Sequence, residues 1–173
     1  MNDADRIFRS SIDWFKSDYI QHHFFVERDI VWSFQIHIKN LIEAEDLPYR
    51  IFNDYPILPG KRRSFSTDLA IVDPLDDIKV AIEFKYEPSH HRRDIMPSKF
   101  PVVVWGAEGV KKDINRVHQF IREGKADSAY FIFIDEGGHF RHRSPYPRSK
   151  WIDWGSLGNP KFDISVLTSH VKI

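Results

Sequence analysis

Two apolar segments near the middle of the chain are separated by a short polar stretch, and this pattern predicts a β-hairpin. The segments cover residues 67–72 and 80–85. Between them, residues 74–77 read Pro-Leu-Asp-Asp, and proline followed by aspartate favours a reverse turn. Alternate positions along a strand point to the same face of a sheet, and one face of this hairpin is apolar. The residues of that face, which we expect to pack a core, are Leu69, Ile71, Val80, Ile82 and Phe84.

The opposite face of the predicted hairpin carries polar groups where a strand is usually apolar. A turn centred between Leu75 and Asp76 places Asp68 directly opposite Glu83, with Cβ atoms ~5 Å apart. Lys85 lies two residues beyond Glu83 and therefore shares its face. Two carboxylates and one amine at one place are unfavourable unless something fills the gap. A divalent cation is the expected filler, and a plain cross-strand salt bridge is the structural alternative.

Periodic apolar positions predict helices on both sides of the hairpin. Residues 27–45 carry apolar side chains at helical spacing, and Pro48 ends the segment. The same period returns in residues 107–123, where Gly124 is a natural stop. Residues 129–134 are apolar throughout, which is typical of a strand that is covered on both faces and pairs in parallel with its neighbour.

The remaining segments have weaker patterns. Residues 1–25 are rich in aromatic side chains and predict a short helix or an extended segment. Further strands are expected at residues 50–55 and 162–167, and the apolar run at 101–105 is a candidate for one more short strand. The predicted core order is therefore αβββαβ, which is an α/β fold with a mixed sheet flanked by helices.

Composition places the chain among single-domain globular proteins. Its 173 residues are 42% hydrophobic and 14% aromatic, enough to bury a core, so we expect one domain over 1–173 with extensions on both sides of a core at about 27–135. The absence of cysteine excludes disulfides and thiolate metal sites and fits a reducing compartment. No apolar run approaches the ~18 residues of a membrane span, and the first residues lack a signal-peptide pattern, so we expect a cytoplasmic protein.

The charge distribution is more informative than the total charge. The formal net charge is zero, so the total does not indicate nucleic-acid binding. Basic residues are nevertheless clustered, and clustered positive charge can hold a phosphate backbone. The alternative interpretation is that these basic clusters belong to solvent-exposed loops that bind nothing. The candidate nucleic-acid contacts are Lys61, Arg62, Arg63, Arg92, Arg93, Lys111, Lys112, Arg141 and Arg143.

The element order, with an aspartate on the second strand and Glu-x-Lys on the third, resembles that of the PD-(D/E)XK nuclease superfamily, which has the restriction-endonuclease-like fold. The motif stands here as Thr67-Asp68 and, after fourteen intervening residues, Glu83-Phe84-Lys85. The resemblance covers roughly residues 27–135. Thr67 replaces the proline of the motif, at a position that varies within the superfamily.

The resemblance implies Mg²⁺ as the cofactor, with Mn²⁺ as a substitute. Asp68, Glu83 and the backbone carbonyl of Phe84 would then hold the metal, because hard oxygen ligands suit Mg²⁺. The metal would lower the pKa of a bound water and neutralise developing charge. Lys85 would orient or deprotonate that water, or offset charge in the transition state, and the choice between these roles stays open.

Glu27 lies in line with the apolar stripe of the first predicted helix, where an acid is unexpected. Several branches of the superfamily carry a glutamate there that points at the metal site, so the resemblance adds Glu27 to a catalytic set of Asp68, Glu83 and Lys85. A carboxylate in the first turn of a helix also favours the positive end of the helix dipole, by up to ~1 kcal/mol. Both interpretations of Glu27 stay open.

Together these features predict a metal-dependent nuclease that hydrolyses phosphodiester bonds. DNA is the expected substrate because most of the resembled family acts on DNA, and both restriction or defence and repair or recombination are open as biological roles. We expect a homodimer, since a small domain with one site cuts both strands most simply as a dimer. The alternative is a nucleic-acid or protein interaction module that keeps the fold without turnover.

Overall fold

The computed structural model describes residues 3–57, 65–157 and 162–173. These residues form three α-helices and six β-strands, with short 3-10 helices at Tyr19–Gln21 and Pro97–Lys99. None of the helices in the described ranges is long and apolar enough to cross a membrane. The helices are α1 (Asp3–Asp18), α2 (Glu27–Ala44) and α3 (Val110–Arg122). The strands are β1 (Arg50–Pro56), β2 (Ser66–Val72), β3 (Ile78–Glu87), β4 (Ser128–Glu136), β5 (Ser149–Leu157) and β6 (Phe162–Lys172).

Helix α2 begins at the predicted residue, and a side chain fixes its start. The Asp29 carboxylate accepts hydrogen bonds from the backbone N–H groups of Phe25 (2.8 Å) and Val26 (3.1 Å). These bonds satisfy two donors just ahead of the first turn and leave Glu27 as the first helical residue. The apolar stripe of the helix is buried at Ile30, Val31, Phe34, Ile38 and Ile42.

The six strands form one mixed sheet in the order β1-β2-β3-β4-β6-β5. β3 and β4 pair in parallel and are connected through α3, whereas every other neighbouring pair is antiparallel. The parallel pairing of β4 confirms the prediction made from its apolar sequence. Every residue of β4 is buried, which explains why the segment shows no alternation of apolar and polar residues.

The β2–β3 hairpin has the predicted register over three residue pairs. One further step of that register sets Asp68 level with Glu83. A one-residue slip would move both carboxylates to the opposite face, so the register decides which groups meet. A bulge near the turn shifts the last pair to Val72 with Ile78. The three pairs in the predicted register are Leu69–Ile82, Ala70–Ala81 and Ile71–Val80.

Helices cover both faces of the sheet. α1 and α2 pack against the apolar face of the hairpin, and α3 packs against the opposite face. The sheet is therefore the middle layer of three, and the polar side chains at the open end of the hairpin reach towards α3. The five residues predicted to pack a core on the apolar face are all buried there, which confirms that prediction: Leu69, Ile71, Val80, Ile82 and Phe84.

The predicted order αβββαβ does not describe the whole chain. α1 precedes the predicted first helix as a full helix of 16 residues, and β5 and β6 extend the sheet beyond β4. β5 was not predicted because its alternation is interrupted: Gly155 has a φ of +82°, and a register shift separates it from Asp153. The described order is two helices, three strands, one helix and three strands.

The apolar run at residues 101–105 is not a strand, contrary to the prediction. The carboxylate of Glu87 accepts the backbone N–H groups of Val102 (3.1 Å) and Val103 (2.7 Å), so these donors bind a side chain rather than a neighbouring strand. Val103 is buried, whereas Val102 and Val104 are exposed. The run therefore forms an irregular apolar wall near the end of β3.

Candidate active site

The open end of the β2–β3 hairpin brings together residues that the sequence singles out. Asp68 comes from β2, and Glu83 and Lys85 come from β3. Glu27, at the first position of α2, reaches the same place. α3 supplies two further charged side chains. We call the whole group the charged cluster; its members are Glu27, Asp68, Glu83, Lys85, Asp113 and Arg116.

Lys85 joins several members of the charged cluster. Its Nζ lies 3.2 Å from Oε2 of Glu27 and 3.3 Å from Oδ2 of Asp113. It also donates a hydrogen bond to the backbone carbonyl of Phe84 at 2.9 Å. Burial acts to lower the pKa of Lys85, but the neighbouring carboxylates outweigh burial and the pKa lies above its ordinary value. The lysine is therefore positively charged at neutral pH.

Glu83 is the most buried acid of the cluster, with 1% of its surface exposed. Its Oε2 accepts a hydrogen bond from Arg116 at 3.0 Å. Its Oε1 is buried and has no hydrogen-bond donor among the described residues. Burial, together with the charge of Asp68, raises the pKa of Glu83 well above its ordinary value in spite of Arg116. The Oε1 atom of Glu83 is thus buried without a hydrogen-bond donor among the described residues.

Asp68 is held by the strand opposite. Its Oδ2 accepts the backbone N–H of Phe84 at 2.7 Å. Burial raises the pKa of Asp68, and this hydrogen bond acts against the rise. The preceding residue, Thr67, is buried, and its hydroxyl donates to the carbonyl of Ile82 at 2.7 Å. The position where the resembled motif has proline is therefore used here to tie the two strands together.

Glu27 points at Lys85 from the start of α2. Burial raises the pKa of Glu27 to about 7, with Lys85 acting against the rise and Asp68 adding to it. The contact with Lys85 and the place in the first helical turn are both present. Glu27 therefore both points at Lys85 and lies in the first turn of α2, where the helix dipole stabilises a negative charge.

The charged cluster fits a divalent cation. It contains four carboxylates and two cations, a formal excess of two negative charges. Asp68 and Glu83 offer hard oxygen ligands, and the unpartnered Oε1 of Glu83 is an oxygen that a cation would satisfy. Within the described ranges, no three histidine, aspartate or glutamate side chains are grouped as a metal site by themselves. The oxygen donors that could hold a cation are the carboxylates of Asp68 and Glu83 and the carbonyl of Phe84, which accepts a hydrogen bond from Lys85.

Sequence reasoning did not assign Asp113 and Arg116 to the site. Asp113 is buried on the inward stripe of α3, between Val110 and Val117 at helical spacing. An acid on an apolar stripe is the signal that identified Glu27, and it could have identified Asp113 as well. Arg116 lies one helical turn further on, 3.5 Å from Asp113, and no sequence signal connects it to the hairpin.

The predicted nucleic-acid contacts have different environments. Residues 61–63 lie outside the described residues. Arg92 is buried; it donates to Asp94 and lies 3.5 Å from Glu136, so it is an internal ion-pair partner rather than a surface contact. The other candidates are exposed to solvent and remain predictions: Arg93, Lys111, Lys112, Arg141 and Arg143.

Two clefts flank Glu27. The polar cleft, of about 120 Å³, is lined by Glu27 and Asp68 together with Trp32 and Asn53. The apolar cleft, of about 800 Å³, is lined by Glu27 and Lys85 at one part and otherwise mainly by apolar side chains. Those apolar side chains include Phe25, Val26, Met96, Val102 and Val104. Solvent and ligands can therefore approach the charged cluster from two sides.

No protein-family model matches the chain, and no curated protein sequence matches it. The fold and the site define an α/β protein with a six-stranded mixed sheet and an acid-rich charged cluster at the open end of one hairpin. The chemistry of this cluster follows from its geometry.

Proposed function

We propose that this chain is a metal-dependent nuclease of the PD-(D/E)XK type, with the restriction-endonuclease-like fold, that hydrolyses phosphodiester bonds in DNA. The observation that carries the proposal is the buried Oε1 of Glu83, which has no donor among the described residues and lies at the same end of the hairpin as Asp68 and Lys85. The order of elements from α2 to β4, which is helix, three strands, helix and strand, supports the same class.

Asp68, Glu83 and the carbonyl of Phe84 are the groups that would hold the metal. When bound, Mg²⁺ or Mn²⁺ supplies a water of lowered pKa and positive charge at the phosphate. The protein orients its ligands in advance: the N–H of Phe84 holds Asp68, and Arg116 holds Glu83. The two ligand-bearing strands are fixed relative to each other by their ladder, so the carboxylates need little rearrangement to bind.

Lys85 and Glu27 complete the proposed chemistry. The ammonium group of Lys85 offsets the negative charge that develops on the phosphate in the transition state. Glu27 positions Lys85 by a contact of 3.2 Å.

Cleavage assays on the matched variants Lys85→Ala and Lys79→Ala test the proposal. The side chain of Lys79 lies on the same strand, is 22% exposed against 23% for Lys85, and is also placed between two carboxylates. We expect the wild-type protein and Lys79→Ala to cut DNA with Mg²⁺ or Mn²⁺. Lys85→Ala should be slower by about 10²-fold or more, the loss typical of removing one group that stabilises transition-state charge.

The substrates for this assay are plasmid, short duplex, single-stranded and branched DNA and an RNA, each with Mg²⁺, Mn²⁺ or EDTA. Absence of cleavage of every substrate by the wild-type protein would contradict the enzyme proposal and favour a non-catalytic interaction module on the same fold. Equal rates for the wild-type protein and a folded Lys85→Ala, checked by circular dichroism, would contradict the assignment of the site.

A further inference from the structure

The apolar cleft beside Lys85 gathers exposed apolar side chains at one place. Eleven large apolar side chains are exposed among the described residues, and five of them line this cleft. Single exposed apolar residues are common on protein surfaces, but a group of them around one cleft marks a binding site. The volume of about 800 Å³ lies within the range of about 300–1,000 Å³ that small ligands occupy.

The two parts of the apolar cleft differ in chemistry. Lys85 and Glu27 border the part next to the charged cluster, and apolar side chains form most of the remaining walls, which also include Lys99 and Glu108. Asp94 also lines the cleft, but its carboxylate is engaged by Arg92.

Lys85 itself is engaged by Glu27 and Asp113, so an anionic group suits the charged part when the proposed metal is held by Asp68 and Glu83. An occupant that suits both parts then has an anionic group for the charged part and a flat apolar body for the walls. A nucleotide has both, with its phosphate at one end and its base at the other.

We propose that the apolar cleft receives the base of an unpaired nucleotide adjacent to the scissile phosphate. This inference rests on the proposed nuclease function and names its substrate class as nucleic acid that is single-stranded or locally unpaired at the cut. A base inside an intact duplex is stacked and paired, and moving it into a side cleft requires it to be extruded. A base that is already unpaired avoids that penalty, so the cleft selects for it.

Phe25 is the stacking partner that the cleft offers. It is the aromatic member of the five exposed side chains and is 50% exposed. The guanidinium of Arg92 lies 5.5 Å from the centre of its ring, and the ring of His23 makes an edge contact at 5.2 Å, so the orientation of the phenyl ring is supported by the protein. Stacking on a phenyl ring tolerates every base, so this contact should confer little sequence preference.

Fluorescence anisotropy with labelled oligonucleotides tests this inference in buffers that contain either EDTA or Ca²⁺. The probes are a DNA single strand of about 20 nucleotides, its fully paired duplex, the same duplex with a small internal bulge, and an RNA single strand that separates DNA from RNA. We expect the unpaired and bulged probes to bind the wild-type protein about tenfold more tightly than the paired duplex, because one stacked base contributes on this scale.

Variants of Phe25 separate stacking from general effects. Phe25→Ala should weaken binding of the unpaired probes by about fivefold or more, whereas Phe25→Tyr, which keeps the ring, should bind them like the wild-type protein. Ile36→Ala is the control, since Ile36 is exposed on α2 and lies outside the residues that line the apolar cleft. It should leave all affinities unchanged.

The outcomes distinguish this inference from the proposed function. Equal affinity for paired and unpaired probes, or unchanged affinity in Phe25→Ala, overturns the inference even when the protein cuts DNA. The expected binding pattern without cleavage of any substrate supports the cleft assignment and overturns the nuclease proposal. Self-association that Phe25→Ala abolishes, measured by sedimentation and without a preference for unpaired probes, overturns the inference in favour of an interface between two copies of the chain.

Discussion

The two ends of strand β3 each hold a lysine between two carboxylates. Near the turn, Nζ of Lys79 lies 3.2 Å from a carboxylate oxygen of Asp73 and 3.2 Å from one of Asp127. At the open end, Nζ of Lys85 lies 3.2 Å and 3.3 Å from two other carboxylates. The side chains of the two lysines are also nearly equal in exposure. By contact geometry alone, these two sites are alike.

Asp73 at the turn and three acids at the open end differ in the direction of their pKa shifts. Partial burial acts to raise the pKa of Asp73, but hydrogen bonds from two backbone N–H groups and from Lys79 outweigh it, and the pKa lies below its ordinary value. At the open end, burial raises the pKa of Glu27, Asp68 and Glu83. The turn end therefore stabilises the charged form of Asp73, whereas the open end disfavours the charged forms of Glu27, Asp68 and Glu83.

This difference separates a structural ion pair from a candidate functional site. At the turn, the carboxylate of Asp73 is bound by Lys79 and by two backbone N–H groups. At the open end, the fold brings four carboxylates and two cations together and leaves one buried oxygen of Glu83 without a donor among the described residues. Acids whose charged form is disfavoured by the surrounding fold are typical of sites that act on a ligand.

The largest difference in stability is expected between one arginine at each end, Arg116 with a buried partner and Arg50 with an exposed one. Arg116→Ala removes the donor to the buried carboxylate of Glu83, and we expect it to lower the free energy of unfolding by about 2 kcal/mol or more, a fall in Tm of about 4–8 °C. Arg50→Ala breaks an exposed ion pair with Asp76 near the turn and should change stability by less than ~0.5 kcal/mol. Urea unfolding measures both values, and equal losses would contradict the distinction between the two ends.

A smaller effect is expected in the pH dependence of stability. The pKa of Glu27 rises from an ordinary value of 4.5 to about 7 in the folded protein, so the folded state keeps a proton that the unfolded state has released. The contribution of Glu27 to stability is therefore fully present below pH 4.5 and is lost as the pH rises to about 7. Thermal unfolding in EDTA across this range should show a weaker fall in Tm for Glu27→Gln than for the wild-type protein.

Asp73→Asn is the control for that measurement. Because the pKa of Asp73 is lowered from 3.8, its contribution to stability is present above that pH and is lost only as the pH falls further. Asp73→Asn should therefore leave the slope of Tm between pH 4.5 and 7 unchanged. If Glu27→Gln has the same slope of Tm against pH as the wild-type protein, the pKa of Glu27 is not raised by folding.

The meeting of Asp68 and Glu83 could be predicted from the sequence because both lie on one hairpin. A side-chain period of two, together with the position of the turn, leaves one register that buries the apolar face, and this register also sets the two carboxylates level. The same reasoning places Lys85 on their face. Local pattern was sufficient for these three residues because no long-range packing intervenes between them.

Other parts of the structure depend on packing that local pattern does not determine. Arg116 meets Glu83 only because α3 returns over the sheet after the irregular segment at 88–109, and its rotation there is set by tertiary contacts. β5 is recognised as a strand through its pairing with β6. The apolar cleft has an irregular wall because the backbone N–H groups of Val102 and Val103 bind the side chain of Glu87, which leaves Val102 and Val104 exposed.

Metal-induced stabilisation of the wild-type protein, Asp68→Asn and Asp73→Asn tests the difference between the two ends most directly. A ligand at about 100 times its Kd stabilises a protein by ~2.7 kcal/mol, which corresponds to a rise in Tm of about 5–10 °C at this size. We predict that Mg²⁺ or Mn²⁺ raises the Tm of the wild-type protein and of Asp73→Asn but not that of Asp68→Asn. No rise in the wild-type protein, or an equal rise in all three proteins, would contradict a metal site at the open end of the hairpin.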